Sequence, residues 1–177
     1  MACDIATGRL EPCKESVGGI NAVYFVNYGD MPLSGVTYDV TDTDMIASVG
    51  TSIAAYKFDV RGASTYTENI QSSRENGTTA FEQVLELQLK KLTKEDHKVI
   101  KLLSYGRPHI VIEDNNGNFL LSGLEYGMEV TGGTIVSGAA MGDMSGYTLT
   151  FSGMEKVPAN FIDGTLADAG FTVTAGV

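Results

Sequence analysis

The tract from Thr79 to Thr131 constrains this chain most, because the spacing of its apolar residues switches from a period of two to the helical period and back. From Phe81 to Lys91, the apolar Phe81, Leu85, Leu87 and Leu89 take odd positions, and Glu82, Glu86, Gln88 and Lys90 take even ones. That alternation predicts a strand with one buried and one wet face. From Thr93 onward, Val99, Ile100, Leu102 and Leu103 form a stripe at helical spacing. Thr93 is placed to cap the first amides, Glu95 and Asp96 stand at the positive end of the dipole, and Lys98 and Lys101 suit the other end. Gly106 offers a left-handed cap and Pro108 cannot extend a helix, so a single helix of about three turns is expected over 93–104. Ile110–Ile112 and Phe119–Leu121 flank Asp114-Asn115-Asn116-Gly117, whose residue types favour a tight reversal, and this predicts a hairpin. Leu124, Tyr126, Met128 and Val130 then alternate with Glu125, Gly127, Glu129 and Thr131, which predicts a further half-buried strand.

The flanks read as more sheet. Residues 1–18 mix charges, Pro12 and glycine without a period and are expected to form an N-terminal arm. Ile20–Tyr28 is nearly continuous in apolar residues, as a strand buried on both faces would be. Val36, Tyr38 and Val40 alternate, as do Tyr56, Phe58 and Val60, and later Tyr147, Leu149 and Phe151. Between the strands ending at Arg61 and beginning at Thr79, residues 62–78 are polar, an excursion of roughly seventeen residues that is too long for an ordinary hairpin loop. It is expected to be a β-ribbon that finds its partner on another subunit, or else a loop. Residues 158–177 carry Phe161-Ile162 and a last alternation at Phe171 and Val173. The expectation is therefore one β domain over 19–157, an arm before it and a C-terminal segment after it. An antiparallel sandwich or near-barrel of about eight strands with one flanking helix fits the count.

Composition narrows function mostly by exclusion. A net charge of −10 argues against holding nucleic acid phosphates or anionic lipid by charge. No basic and apolar leader is evident and no stretch approaches the about 18 apolar residues of a membrane helix, so a protein made in a cytoplasm is expected. Cys3 and Cys13 match no metal or redox motif and read as free thiols, with one local disulfide as the alternative. Asp39, Asp42 and Asp44 lack the glycine and glutamate of a calcium loop, and Phe119 stands where such a loop starting at Asp114 needs glycine. Asn76-Gly77-Thr78 has the form of a glycosylation sequon but reads as a turn. His97 and His109 have no carboxylate cluster at metal-ligand spacing and read as structural. No nucleophile elbow, phosphate loop or dinucleotide fingerprint occurs, so no enzyme, cofactor or metal is expected. Glu82 and Glu86, like Glu125 and Glu129, stand four apart on the wet faces of their strands, where a solvated acidic surface is the simplest reading.

The succession of a strand, a polar excursion, the strand from Thr79 to Lys91, one capped helix, the Gly106-Arg107-Pro108 exit and an Asn-Gly hairpin resembles the tail-tube-type ring proteins of tailed bacteriophages. The tract Gly123–Ser152, with Gly, Met and Tyr repeated on short strands, is similar to virion proteins of the same kind, such as those of crAss-like phages. The resemblance implies a β-sandwich flanked by a helix and assembled as a hexameric ring. The inner sheets would line a lumen through which DNA passes without specific binding. It also implies a place in the virion's tail or neck, contacts with neighbouring tail, neck or portal proteins, and no membrane partner. Glu82, Glu86, Glu125 and Glu129 are then candidates for an acidic lumen or outer wall. The alternative from the residues alone is a monomeric β-barrel that binds or turns over a small molecule.

Overall fold

In a computed structural model describing residue 5 and residues 7–176, the apolar run that starts at Ile20 becomes β1 (Ile20–Val26), in which Ala22 to Val26 are all buried. A strand buried on both faces needs an apolar layer on each side of its sheet. The other elements supply those layers. In chain order they are β2 (Thr37–Tyr38), β3 (Met45–Ser48), β4 (Ile53–Asp59), β5 (Thr65–Ser73), β6 (Thr78–Lys90), α1 (Lys94–Tyr105), β7 (His109–Asp114), β8 (Phe119–Ser122), β9 (Glu129–Val136), β10 (Gly146–Glu155), β11 (Asn160–Ile162) and β12 (Phe171–Thr174). A large sheet of eight strands runs β12-β4-β1-β7-β8-β11-β3-β2, and a small sheet of four runs β5-β6-β10-β9. The chain is mainly β, a two-sheet sandwich with one flanking helix, as its periodicity predicts. Twelve strands stand where about eight were expected; β3 and β11 are too short to show a clear period of their own.

One apolar layer lies between the sheets. Val23, Phe25, Ile110 and Ile112 from the large sheet meet Leu85, Leu87, Tyr147, Leu149 and Phe151 from the small one, and Ile100 of α1 joins them. The Phe25 ring bridges the layers, with its centroid 5.0 Å from that of Phe58 and 5.4 Å from that of Phe151. The second layer forms on the opposite face of the same strands, where Ala22, Tyr24, Val26 and Val111 pack with Ile46, Ala55, Leu121, Leu166 and Phe171. Here the large sheet curls over its own core. Val49 N donates to Ala169 O at 2.9 Å and Ile53 N to Gly170 O at 3.0 Å, joining the two sides of the curl without closing a barrel. Gly170 has φ +98°, and a Cβ there would lie 1.9 Å from Gly50 O, so only glycine permits this approach. Residues 158–177 thus contribute β11 and β12 to the large sheet.

The helix forms as its sequence predicts, shifted by one residue. Thr93 Oγ1 accepts from Asp96 N at 3.1 Å, and Glu95 and Asp96 occupy the first turn. Of the apolar stripe only Ile100 is fully buried, while Leu102 is largely exposed. Gly106 ends the helix in extended backbone (φ −95°), not in the expected left-handed cap, with its amide on Leu102 O. The β7–β8 hairpin turns at Asp114–Asn118 as predicted. The Asp114 carboxylate accepts the amides of Asn116 and Asn118, and Gly117 has φ +84°.

Two expectations are corrected. The polar excursion is neither an unpartnered ribbon nor a loop: β5 pairs within the chain along β6, from Thr65↔Glu86 to Ser73↔Thr78. It reads as polar because it is an edge strand with one face in water, and on the core side Tyr66 packs its ring on the apolar layer while its hydroxyl and Glu68 make polar contacts. Only its last pairs, Gln71–Ser73 with Thr78–Ala80, project past the end of β10. The second correction concerns Leu124–Val130, where the alternation is not one strand. Residues 124–127 form a compact loop in which Gly127 N donates to Gly123 O, and β9 starts only at Glu129. Gly127, at φ +76°, leaves room for Arg107 O, which would lie 2.5 Å from a Cβ. Apolar alternation cannot distinguish a strand from a loop that buries Leu124 and Met128 in turn.

Replacing Thr93 by Ala removes the helix cap and should lower the unfolding free energy by about 1 kcal/mol. Urea denaturation should show a lower midpoint with an unchanged slope. An unshifted midpoint would mean that the cap contributes nothing.

Candidate functional site

The small sheet has a polar outer face, and its register determines what lies there. β6 and β10 pair from Lys90↔Gly146 to Phe81↔Glu155, so Glu82, Val84, Glu86 and Gln88 share the outer face with Met154, Ser152, Thr150 and Thr148. On one side Thr65, Thr67 and Asn69 of β5 stand beside Glu86, Val84 and Glu82. On the other side Glu129 of β9 stands beside Ser152. Glu82, Glu86 and Glu129 therefore come together on one face, set among hydroxyls and amides. Glu82 accepts from Gln71 Nε2 at 3.1 Å and Asn69 Nδ2 at 3.4 Å, and among the described residues none of the three forms an ion pair. The fourth candidate departs. Glu125 lies in the loop before β9, bonded to Lys156 Nζ at 2.7 Å, and this bond holds its carboxyl below the usual range. The expected pairing of Glu125 and Glu129 on one strand face fails because no strand joins them.

The inner face of the same sheet holds a polar seam that periodicity hinted at but did not identify. In the odd row of β6, Gln83 interrupts an otherwise apolar series, and it is 1% exposed. Its Oε1 accepts from Ser122 Oγ at 2.7 Å and Gly123 N at 2.8 Å on the large sheet, and its Nε2 donates to Glu68 Oε1 at 2.9 Å. Glu68 Oε1 also accepts from Tyr66 OH at 3.0 Å and from Ala159 N at 2.7 Å. Burial pushes the Tyr66 hydroxyl far above its ordinary value. At the end of β10, Glu155 is buried and its Oε1 accepts from Tyr126 N at 2.9 Å and Glu125 N at 3.1 Å. Burial raises its pKa despite those bonds. Such a seam fixes how the two sheets sit on each other, since an unmatched polar group between them costs more than a made bond contributes.

The remaining candidates are scattered. His109 is buried, its Nδ1 2.6 Å from Gly123 O and its ring stacked on Tyr28, over which the Arg107 guanidinium lies at 3.9 Å. Its Nε2 has no hydrogen-bond partner among the described residues, and burial lowers its pKa, which disfavours the charged ring. His97 lines an open, mainly apolar cleft with Leu92, Ile135 and Tyr147. Asp39 accepts the amides of Thr41 and Asp42, a turn and not a cation loop. Among the described residues, no group of three or more His, Cys, Asp or Glu is arranged to hold a metal. Cys13 is exposed with a free thiol, and Cys3 lies outside the described residues. No described helix is long and apolar enough to cross a membrane. Comparison with protein-family models, curated proteins and solved structures gives no match to this chain.

Glu155 yields a pH-dependent prediction. Its folded-state pKa is raised above the ordinary 4.5, so the fold favours the protonated form. Its contribution to stability is greatest below the unfolded value and declines as pH rises through the folded one. Glu155→Gln retains an oxygen for the two amides and removes the charge. The variant should gain stability over the wild type at neutral pH, and the gain should shrink on acidification. Urea midpoints that move in parallel for both proteins across that range would refute this.

Proposed function

We propose that this chain is a structural virion protein of a tailed phage, a subunit that closes into a ring of the tail tube or neck and lines a lumen for DNA. The observation that carries the reading is the small sheet, whose outermost strands β5 and β9 each lack a second strand partner and whose outer face is acidic and threonine-rich. Its four strands are all antiparallel to their neighbours, so β5 and β9 run in opposite directions. A second copy in the same orientation can therefore lay its β9 antiparallel along β5, and repetition by rotation continues one sheet around a closed ring. Pairing would also satisfy edges that otherwise invite uncontrolled aggregation. The hexameric count comes from the resemblance to tail-tube proteins.

Glu82, Glu86 and Glu129 would face the lumen. Carboxylates there repel phosphates and keep a duplex from adhering, whereas lysine or arginine would hold it through counterion release. The tip of the β5–β6 hairpin and the exposed residues 7–18 would make the contacts with adjoining rings or neck and portal proteins. The alternative of a small-molecule-binding barrel has less support, because the curled sheet stays open and its interior is filled by Ile46, Leu121 and Phe171.

Light scattering should give a mass near six times the 18.8 kDa protomer, or short polymers, with rings or tubes in negative stain. A strict monomer at ~100 μM, above the weak-interface range, would count heavily against the proposal. The wild-type assembly should retain no duplex DNA even at low salt. The Glu82→Lys, Glu86→Lys, Glu129→Lys variant should bind it with a steep salt dependence while still assembling. DNA binding by the wild type that weakens with salt would refute the conduit role.

A further inference from the structure

Two asparagines in the chain precede glycine, Asn76 and Asn116, and the fold treats them in opposite ways. In an Asn-Gly pair the glycine amide nitrogen can reach the preceding side-chain carbonyl carbon, because no Cβ blocks the approach. The nitrogen loses its proton to base and forms the N–Cγ bond, the Cγ–NH2 bond breaks, and ammonia leaves. Water then opens the resulting five-membered imide at either carbonyl, giving aspartate or its β-linked isomer. The reaction requires only water and base, together with a side chain and a backbone free to rotate into each other.

Independently of the proposed function, we infer that Asn76 is a site of spontaneous deamidation, whereas the fold protects Asn116. Asn76 lies in the exposed Arg74–Gly77 turn of the β5–β6 hairpin, on the part that projects past β10. Its side chain and the Gly77 amide have no hydrogen-bond partner among the described residues. Its own amide donates to Ser73 Oγ at 3.3 Å, and nothing lies within 4 Å of where a Cβ would stand on Gly77. Asn116 is held on every side. Its Oδ1 accepts Val17 N at 2.9 Å, and its Nδ2 donates to Val17 O at 2.8 Å and to Asp114 Oδ2 at 3.3 Å. The attacking group is occupied as well, since Gly117 N donates to Asp114 O at 3.2 Å. The imide can form there only after these bonds open together. Conversion at Asn76 adds a carboxylate next to Glu75, making each chain one unit more negative at the hairpin tip.

The test is peptide mapping of the folded, full-length chain during incubation in warm, mildly alkaline buffer. Asn76 should convert about tenfold or more faster than Asn116, the difference a modest local opening cost imposes. In denaturant the two rates should converge. The Asn76→Gln variant should lose the new acidic isoform on isoelectric focusing. Equal conversion of both sites in the folded chain would overturn the inference, as would an unchanged Asn76 where the unfolded chain reacts, or an acidic isoform that persists in the variant.

Discussion

The structure depends on the burial of β1 and β7 on both faces. Val23, Phe25, Ile110 and Ile112 point one way while Ala22, Tyr24, Val26 and Val111 point the other, so neither face of the central sheet can meet water. Fully burying a side chain of this size is worth roughly 1.5–3 kcal/mol relative to leaving it exposed. Two covers are therefore required, and the chain provides them differently. On one face the small sheet and α1 lie across the strands; on the other, the large sheet rolls its own flanking strands over the core. The contact of Gly50 with Gly170, tolerable only without a Cβ, marks how tightly that roll is drawn.

The two faces of the small sheet differ in kind. Its inner face is committed: Leu85, Leu87, Leu149 and Phe151 supply apolar contact, and Gln83 ties it to Ser122 and Gly123. Apolar packing tolerates small slides, whereas a buried amide is satisfied only when its partners face it, so the seam sets the register of the sandwich. The outer face is left to solvent, and the outermost strands β5 and β9 each lack a second strand partner, with α1 packed beside β9. Among the described residues Glu82, Glu86 and Glu129 form no ion pair on that face, and it is bounded by two strands of opposite direction that are each paired on one side only; the proposed ring would use both features. In this reading function lies in shape and charge, and the carboxylates act by position and not by chemistry.

Some of this was readable in the residues. The odd-even row of β6, the Thr93 cap, the Asp114 turn and the unbroken apolar run of β1 each rest on local chemistry, and each appears as predicted. Gln83 was a visible gap in an apolar row, a signal that a buried polar contact was needed. β5 was missed because an edge strand wet on one face has no apolar alternation to betray it. The loop at 123–128 was mistaken for a strand because its apolar residues recur at every second position, although the fold buries Leu124 and Met128 and exposes Tyr126.

The sequence by itself determined the class: period-two runs and one capped helical stripe called for a mainly β fold with one flanking helix, and left sandwich and near-barrel open. Tertiary structure alone decided which carboxylates share a face. Glu82, Glu86 and Glu129 converge through pairing across β6, β10 and β9, while Glu125, only four residues from Glu129, turns away to Lys156. Local pattern records which way a side chain points along its own strand. Which strands lie side by side is settled by long-range burial and by backbone hydrogen bonds between segments far apart in the chain, and no neighbouring residue encodes that.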